Sequence, residues 1–468
     1  MLKVYNVMTR KKEEFSSLEK GIVKMYACGI TVSDNAHIGH AYQAVVFDMI
    51  RNYLEYIGYK VIYVRNYTDI DDKIIAKANQ LGEDPSVFAK KMIEKTDLEF
   101  KMLGVDEPTI QAKATECIDD MVDFIDALIA KDYAYATEDG DVYFKVGSFK
   151  DYGKFSNRTL DDSIVGVRKD VEPGKRDDRD FALWKGAKEN EIFWESPWGR
   201  GRPGWHIECS AMSMKYLGET IDIHGGGEDL LFPHHENEIA QTEALTGKQF
   251  AKYWLHNGLV LINGQKMSKS IGNTILLADL LSEYHPDVIK MTLLQNNYRS
   301  SLNLVDGMFS LNESKIYRFY KMFLDIELIE FKDSEIFARI DREFRDAMDN
   351  DFNTAVVFAN LFEYFSEMEK ISDEKLLGEY KNSVIQVYRV LGLFQEKPVK
   401  VISEIKNKYL MKYNISVDEI EKYILNRDEL KKQGDYGSAD RVRNQLLERG
   451  ILLKDTRCGT EWDIEIRE

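Results

Sequence analysis

Apolar and polar positions alternate through "VKMYACG" (23–29), where the run stops at a glycine, and a two-residue period of that kind predicts a short strand. After the polar loop "ITVSDNA" the period changes. In "HIGHAYQAVVFDMIRNYLEYIG" the residues Ile38, Ala41, Val45, Met49 and Leu54 recur near helical spacing, and Gly58 closes the segment. "KVIYVRN" (60–66) predicts a second strand, and the acidic "TDIDDK" leads into another helix. Strand, helix and strand, with a loop at the first strand's carboxyl end, open a parallel α/β sheet.

From about residue 120 to 200 that pattern breaks. "GDVYFKV" predicts a strand, and "RKDVEPGKRDDRDFALWKG" is charge-dense before it turns aromatic. Four of the six tryptophans fall between Trp184 and Trp205, which marks the stretch as an insertion between two halves of the sheet domain. "TIDIHGGG" and "YWLHNGLVLING" resume the α/β alternation. Beyond about residue 280 apolar residues recur at three and four, as in "SKIYRFYKMFLDIELIEF" and "TAVVFANLFEYFSEMEKI", and predict helices. "EKPVKVISEIK" (396–406) reads as a linker to a small charged domain, and no internal repeat is found.

Composition narrows the class. At ~150 residues per domain the chain holds about three domains. With 44% hydrophobic and 31% charged residues and only eight prolines, the profile is that of a soluble folded protein. No apolar run approaches the ~18 residues of a membrane span, so no membrane partner is expected. "MLKVYNVMTRKKEEF" lacks the apolar core of an export signal. Cys28, Cys117, Cys209 and Cys458 lie far apart without a CxxC pair, which suits reduced thiols in a cytoplasmic protein. A net charge of −17 repels polyanions in general but leaves room for a specific nucleic acid held by local basic surface. Residues 403–468 are nearly balanced, with 13 Lys and Arg against 14 Asp and Glu.

Candidate chemistry gathers in "HGGGEDLLFPHHENEIA" (224–240), which holds three of the eight histidines. Pro233 suits a helix's first turn, and His234 and Glu238, four apart, then project from one face and can share a metal. The same spacing suits a solvated acidic helix with a histidine pair at its start, since such pairs are common. Cys28 and Cys209, each taken alone, read first as small buried apolar residues and only second as ligands. "HIGH" (37–40) opens a helix after a strand, where backbone N–H groups and the helix dipole attract a phosphate. His37 and His40 can donate to its oxygens, and Gly39 admits close approach. In "KMSKS" (266–270), Lys266 and Lys269 offer two mobile cations, though a lone lysine pair also suits a solvated loop.

HIGH near the N-terminus and KMSKS over two hundred residues later are the signature pair of class I aminoacyl-tRNA synthetases, and the chain resembles that class. "YACGIT" (26–31), "NYTDIDDK" (66–73), "DFALWK" (180–185), "PGWHIECSAM" (203–212), "DIHGGGEDLLFPHHENEIAQ" (222–241) and "NDFNT" (350–354) are similar to the cysteinyl-tRNA synthetase family, over essentially the whole chain to Trp462. The resemblance implies an α/β fold: a Rossmann-like parallel-sheet catalytic domain split by an insertion, then a helical bundle and a small mixed α/β C-terminal domain. The expected divisions are 1–119 and 201–280 for the two catalytic halves, 120–200 for the insertion near the acceptor end, 281–400 for the helical tRNA-binding region and 401–468 for the anticodon-binding domain.

It implies a ligase that converts L-cysteine and ATP with Mg²⁺ to cysteinyl-adenylate, then passes the cysteinyl group to the terminal ribose of cysteine tRNA. One Zn²⁺ per chain is expected on Cys28, Cys209, His234 and Glu238, selecting the substrate thiol. His37, Gly39, His40, His224, Gly225, Gly226, Gly227, Lys266 and Lys269 are expected at ATP. Gly29, Thr31, Thr68, Trp205 and Asp229 are expected at cysteine, although core packing explains Trp205 as well. Arg427, Asp440, Asp455 and Trp462 are expected at the anticodon, in a stretch that a solvated charged helix explains almost equally. The family's usual form is a monomer.

Two positions depart from the family pattern: Ser33 stands where a tyrosine is usual, and Tyr42 where an arginine or similar residue follows HIGH. They leave open a paralogous ligase that passes cysteine to a small amine, against which the intact C-terminal region argues.

Overall fold

The computed structural model describes every residue except 159–173, 189–190, 269–270, 325–333, 457–458 and 467–468, so Lys269 and Cys458 lie outside the described residues. The chain forms two compact units. The first comprises Met1–Leu281, Leu293–Asn303 and Phe344–Phe358, and the second Ser282–Thr292, Leu304–Glu343 and Ala359–Glu468.

Five parallel strands make the central sheet of the first unit: β1 (Ile22–Thr31), β2 (Lys60–Thr68), β3 (Ile110–Lys113), β4 (Ile221–Gly227) and β5 (Ala251–Asn257). Their order is β5-β4-β1-β2-β3. The strands expected at 23–29 and 60–66 are present, each slightly longer than its sequence pattern. All of β4 is buried, which explains why it reads as an apolar and glycine run without alternation. The order reverses between β1 and β4, and in an open α/β sheet the crevice at that reversal, beyond the strands' carboxyl ends, is where ligands bind. Cys28–Thr31 and His224–Gly227 stand at that edge.

Three helices bear on the crevice: α1 (Ile38–Tyr56), α2 (Trp205–Leu217) and α3 (Glu236–Thr246). Helix α1 starts inside HIGH, and Gly58, just beyond its end, takes φ +101, a conformation that favours glycine. Pro233 lies in the irregular turn Leu231–His235 ahead of α3, not in the helix's first turn. In and just after the stretch expected as an insertion, the described residues form a four-stranded antiparallel sheet of Ala134–Ala136, Val142–Phe144, Phe181–Gly186 and Gly201–Pro203. Trp184 is fully buried there. After β5 a hairpin, Val260–Ile262 with Gln265–Lys266, pairs alongside Leu302–Leu304 and carries the start of KMSKS.

The second unit is chiefly helical and ends in the hairpin Ile451–Thr456/Gly459–Ile464. Of the linker expected at 396–406, all but the first two residues belong to the helix Pro398–Lys412. Pro398 sits in the first turn, where its missing N–H costs nothing, and Val401, Ile402, Ile405 and Tyr409 bury one face. Of the apolar segment at 314–331, residues to Met322 belong to the helix Met308–Met322, and 325–331 lie outside the described residues. Among the described residues no helix is long and apolar enough to cross a membrane.

Candidate active site and metal centre

Seven of the eight histidines belong to the first unit's crevice or its lining, and six buried side chains form one cluster there. Strand β1 brings Cys28, β4 brings His224, α2 brings Cys209, and the turn and helix around α3 bring His234, His235 and Glu238. Ligand atoms of Cys28, Cys209, His234 and Glu238 all lie within 4.8 Å of one another, and so do those of Cys28, His224, His235 and Glu238. Glu238 Oε1 is 3.0 Å from His234 Nε2 and accepts from the Cys28 thiol at 3.3 Å. Its Oε2 is 3.2 Å from His224 Nε2 yet completes no hydrogen bond.

The rings behind the cluster settle its orientation. His206 Nδ1 meets His234 Nδ1 at 2.9 Å, so His234 turns its Nε2 inward. His256 Nε2 meets His235 Nδ1 at 2.7 Å, and His235 Nε2 then faces the Cys28 sulfur at 3.3 Å. Holding the far nitrogen of an imidazole in this way is how metal-ligating histidines are normally aimed.

Burial sets the charges. It works against ionising Cys209, but the Cys28 hydrogen bond and neighbouring His234 bring that thiol down to about 6. Burial opposes a charged His234 too, and the Glu238 carboxylate outweighs it, lifting His234 to about 10. Glu238 stays well below the usual carboxylate range, against burial, because His224 and His234 face it. Burial pushes the Cys28 thiol up, and the Cys209 thiol beside it adds to the rise. Burial keeps His206, His235 and His256 low, the last at about 3. Two thiols and a carboxylate shut away from water could all be anionic only around a shared cation. Sulfur, imidazole and carboxylate donors in fours suit Zn²⁺. The donor set therefore fits zinc.

Helix α1 joins the cluster's strand through Gln43, which donates to the Cys28 carbonyl, and HIGH opens that helix. His37 caps the helix, its Nδ1 accepting the Gly39 N–H at 3.2 Å, while His40 Nδ1 accepts the His37 N–H at 3.3 Å. With both Nδ1 atoms accepting, each neutral ring carries its proton on Nε2. The two rings stack with centroids 3.6 Å apart. KMSKS meets this turn, since a Cβ on Gly39 would lie 3.3 Å from the Met267 methyl carbon. Lys266 is exposed on its hairpin.

Along β4 the glycines let neighbouring side chains close directly on the backbone. A Cβ on Gly225 would fall 2.3 Å from the Phe47 ring, and one on Gly227 would fall 2.5 Å from Asp229 Oδ1. The side chain of His224, expected at the nucleotide, is instead fully buried in the Cys/His/Glu cluster. Thr31 pairs with Thr68 across β1 and β2, and the buried Thr68 hydroxyl donates to Glu208 Oε2 at 2.6 Å. Trp205 is 40% exposed with its ring centroid 4.3 Å from that of His234, so it is not a core residue. Asp229 is exposed.

Sequence reading missed several residues that build this site. Asn66 Oδ1 accepts the Gly29 N–H at 2.8 Å, and Gln43 donates to the Cys28 carbonyl. Buried Glu208, His235 and His256 and half-buried His206 complete the polar lining. The histidines had a signal in their number alone, because so few of the eight serve elsewhere. Gly29 shows why the crevice tolerates no side chain there: a Cβ would sit 1.5 Å from the Asn66 carbonyl oxygen, beside the β1–β2 irregularity between Ala27 and Ile30. Gly29→Ala is expected to cost about 3 kcal/mol or more, because the clash is with backbone. A urea-unfolding midpoint equal to the parent's would refute that.

In the second unit, Arg427 is only 3% exposed and grips Asp455 with two bonds of 2.7 and 2.9 Å. Both were expected to read bases, but their polar atoms are committed to each other, with Lys431 also on Asp455. Asp440 is exposed. The Trp462 ring holds Lys406 Nζ 4.6 Å from its centroid.

Residues 14–314 match the family described as tRNA synthetases class I (C) catalytic domain, and residues 343–395 match the DALR domain. The fold is shared with solved synthetases. Mycobacterium tuberculosis methionyl-tRNA synthetase with methionyl-adenylate aligns with a TM-score of 0.56 at 13% identity, over 85% of this chain and 94% of that one. The Agrobacterium radiobacter leucyl enzyme, LeuRS, in its ternary complex aligns at 0.58 and 12%, over 84% and 86%. Fold and family match together define a class I aminoacyl-tRNA synthetase.

Two relatives specify it further. Cysteine–tRNA ligase of Geobacter sulfurreducens is 46% identical over 99% of this chain and 100% of its own length. That of Geobacter metallireducens is 47% identical over the same shares. The chain belongs to the cysteine–tRNA ligase family. It is a ligase whose substrates are cysteine, ATP and tRNA.

Proposed function

We propose that the chain forms cysteinyl-adenylate in the β1–β4 crevice and that Cys28, Cys209, His234 and Glu238 hold a zinc ion which selects the substrate by its sulfur. The convergence of these four buried donors from three distant stretches of sequence is the observation that carries the reading. Bound there, Zn²⁺ supplies a thiophilic Lewis acid that favours a thiolate over a hydroxyl. All three histidines are buried, but His234 packs against the exposed Trp205, ring centroids 4.3 Å apart, whereas His224 and His235 pack on the buried Trp254. That difference favours the first set.

The chain's own residues perform the rest. Thr68, held by Glu208, borders the amino-acid pocket with Gly29 and Thr31, and Asp229 is available to the substrate ammonium. His37 and His40 present their Nε2–H donors at the amino end of α1, where the helix dipole also favours a phosphate. Gly225, Gly226 and Gly227 let the adenosine lie against β4. Lys266, with Lys269, neutralises the leaving pyrophosphate as the carboxylate attacks the α-phosphorus, a transfer that depends on positioning and charge more than on covalent help. Mg²⁺ arrives with ATP. The insertion guides the acceptor end. Trp462 and Asp440 meet the anticodon, with Arg427 and Asp455 bracing the terminal hairpin behind them.

A pocket that sorts near-isosteres by shape alone reaches about 10²-fold. Cysteine-dependent ATP–pyrophosphate exchange should therefore exceed serine-dependent exchange by well over ~10²-fold. Removing the metal with a chelator should abolish exchange, and one equivalent of Zn²⁺ should restore it. Full cysteine specificity in a chain proven free of zinc is the result that ends this reading.

A further inference from the structure

Tyr42, one of the two departures from the family pattern, sits on α1 two residues after His40 and is fully buried. Burial pushes its phenol well above the usual range, so the hydroxyl remains a donor. It donates to the Tyr298 carbonyl at 2.9 Å. The same carbonyl accepts the Gly258 N–H at 2.8 Å. Gly258 follows the end of β5 and is the root of the hairpin that carries Lys266. It sits so close to the next crossing strand that a Cβ would fall 2.3 Å from the Ser300 carbonyl oxygen. One residue on, the Leu259 carbonyl accepts from Leu302 N–H at 2.7 Å.

The far end of the KMSKS segment is tied as well. Ile38 N–H donates to the Ile275 carbonyl and Leu277 N–H to the Ala36 carbonyl, both at 2.9 Å. The stretch between is thus secured at its exit by backbone bonds to the HIGH turn. At its root the tie from α1 runs through the Tyr42 hydroxyl. Tyr298 is held from behind, its own hydroxyl donating to the buried Asp351 at 3.2 Å, with Arg299 Nε on the other carboxylate oxygen at 2.8 Å. Asp351 also accepts the Tyr5 N–H at 2.8 Å.

We propose that Tyr42 is a positioning residue for ATP activation, fixing the root of the Lys266 hairpin against the helix that presents His37 and His40. The Tyr298 carbonyl is thus shared between the helix that carries HIGH and the root of the hairpin that carries Lys266, and the Tyr42 hydroxyl is the side-chain bond in that link. This inference rests on the reading that His37, His40 and Lys266 serve the ATP phosphates.

Tyr42→Phe tests it with little risk to folding, because the ring volume stays and the Tyr298 carbonyl keeps its bond from Gly258. The loss of one buried hydrogen bond should appear as a rise of about tenfold in the KM for ATP in pyrophosphate exchange. The KM for cysteine and the zinc content should match the parent's, and backbone amides of 260–268 should exchange with deuterium faster. An unchanged KM for ATP, or constants for ATP and cysteine that worsen together without faster exchange at 260–268, overturns the proposal. His40→Asn and Lys266→Ala serve as separate controls. Should neither impair exchange, the reading of the nucleotide site fails; should both impair it while Tyr42→Phe behaves as the parent, only the role of Tyr42 fails.

Discussion

Cys209→Ser is expected to strip the chain of zinc and of cysteine activation in one step. Cys209 is buried, and its thiol is the one drawn down to about 6, so it is the sulfur already closest to the ligating, anionic form. A serine hydroxyl of nearly the same shape does not ionise there. The substitution therefore preserves packing while removing one negative donor from around Glu238 and His234. Losing a residue that merely supports a metal ligand costs ~10–100-fold in affinity, and losing a ligand should cost more. The checks are zinc stoichiometry after dialysis against a weak chelator, and cysteine-dependent pyrophosphate exchange on the same sample. One zinc per chain with parental constants would remove Cys209 from the ligand set.

Lys266→Ala should have a comparably large effect on a different quantity. The side chain is exposed on a two-stranded hairpin at the register Leu261↔Lys266, so its removal leaves no cavity and no unpaired buried group. Its expected work is on charge that develops as pyrophosphate leaves. Losing one such stabilising group typically lowers kcat by about 10²–10³-fold. Adenylate formation should slow by that factor, while zinc content and transfer of cysteine from preformed adenylate to tRNA stay near parental. Parental rates of adenylate formation would show that this lysine stands outside the reaction.

The two predictions draw on features of unequal visibility in the sequence. β1 and β2 were legible because their apolar runs end in turn residues, and α1 because its buried residues recur at helical spacing. HIGH and KMSKS were legible as a pair because their order and separation carry more information than either string. Asn66, Gln43 and Glu208 were not, since each works by meeting a backbone or side-chain atom from a distant stretch, and no local pattern marks such a meeting. His224 was read with its glycines toward the nucleotide, but successive residues of a strand face opposite ways, and its ring turns into the cluster. The supposed linker at 396–406 misled through its proline, which in the structure begins the helix Pro398–Lys412. Arg427 and Asp455 read as separate charged positions, and only the packing of the strand Ile451–Thr456 beside the helix Val417–Lys432 brings them together.

Cys28 and Glu238 are separated by 210 residues yet touch. An ion seated among these donors can be captured only after translation has passed α3 and β4 has slotted beside β1. Nascent chains stalled before that point are expected to leave zinc in the medium, and those released beyond it to take it up.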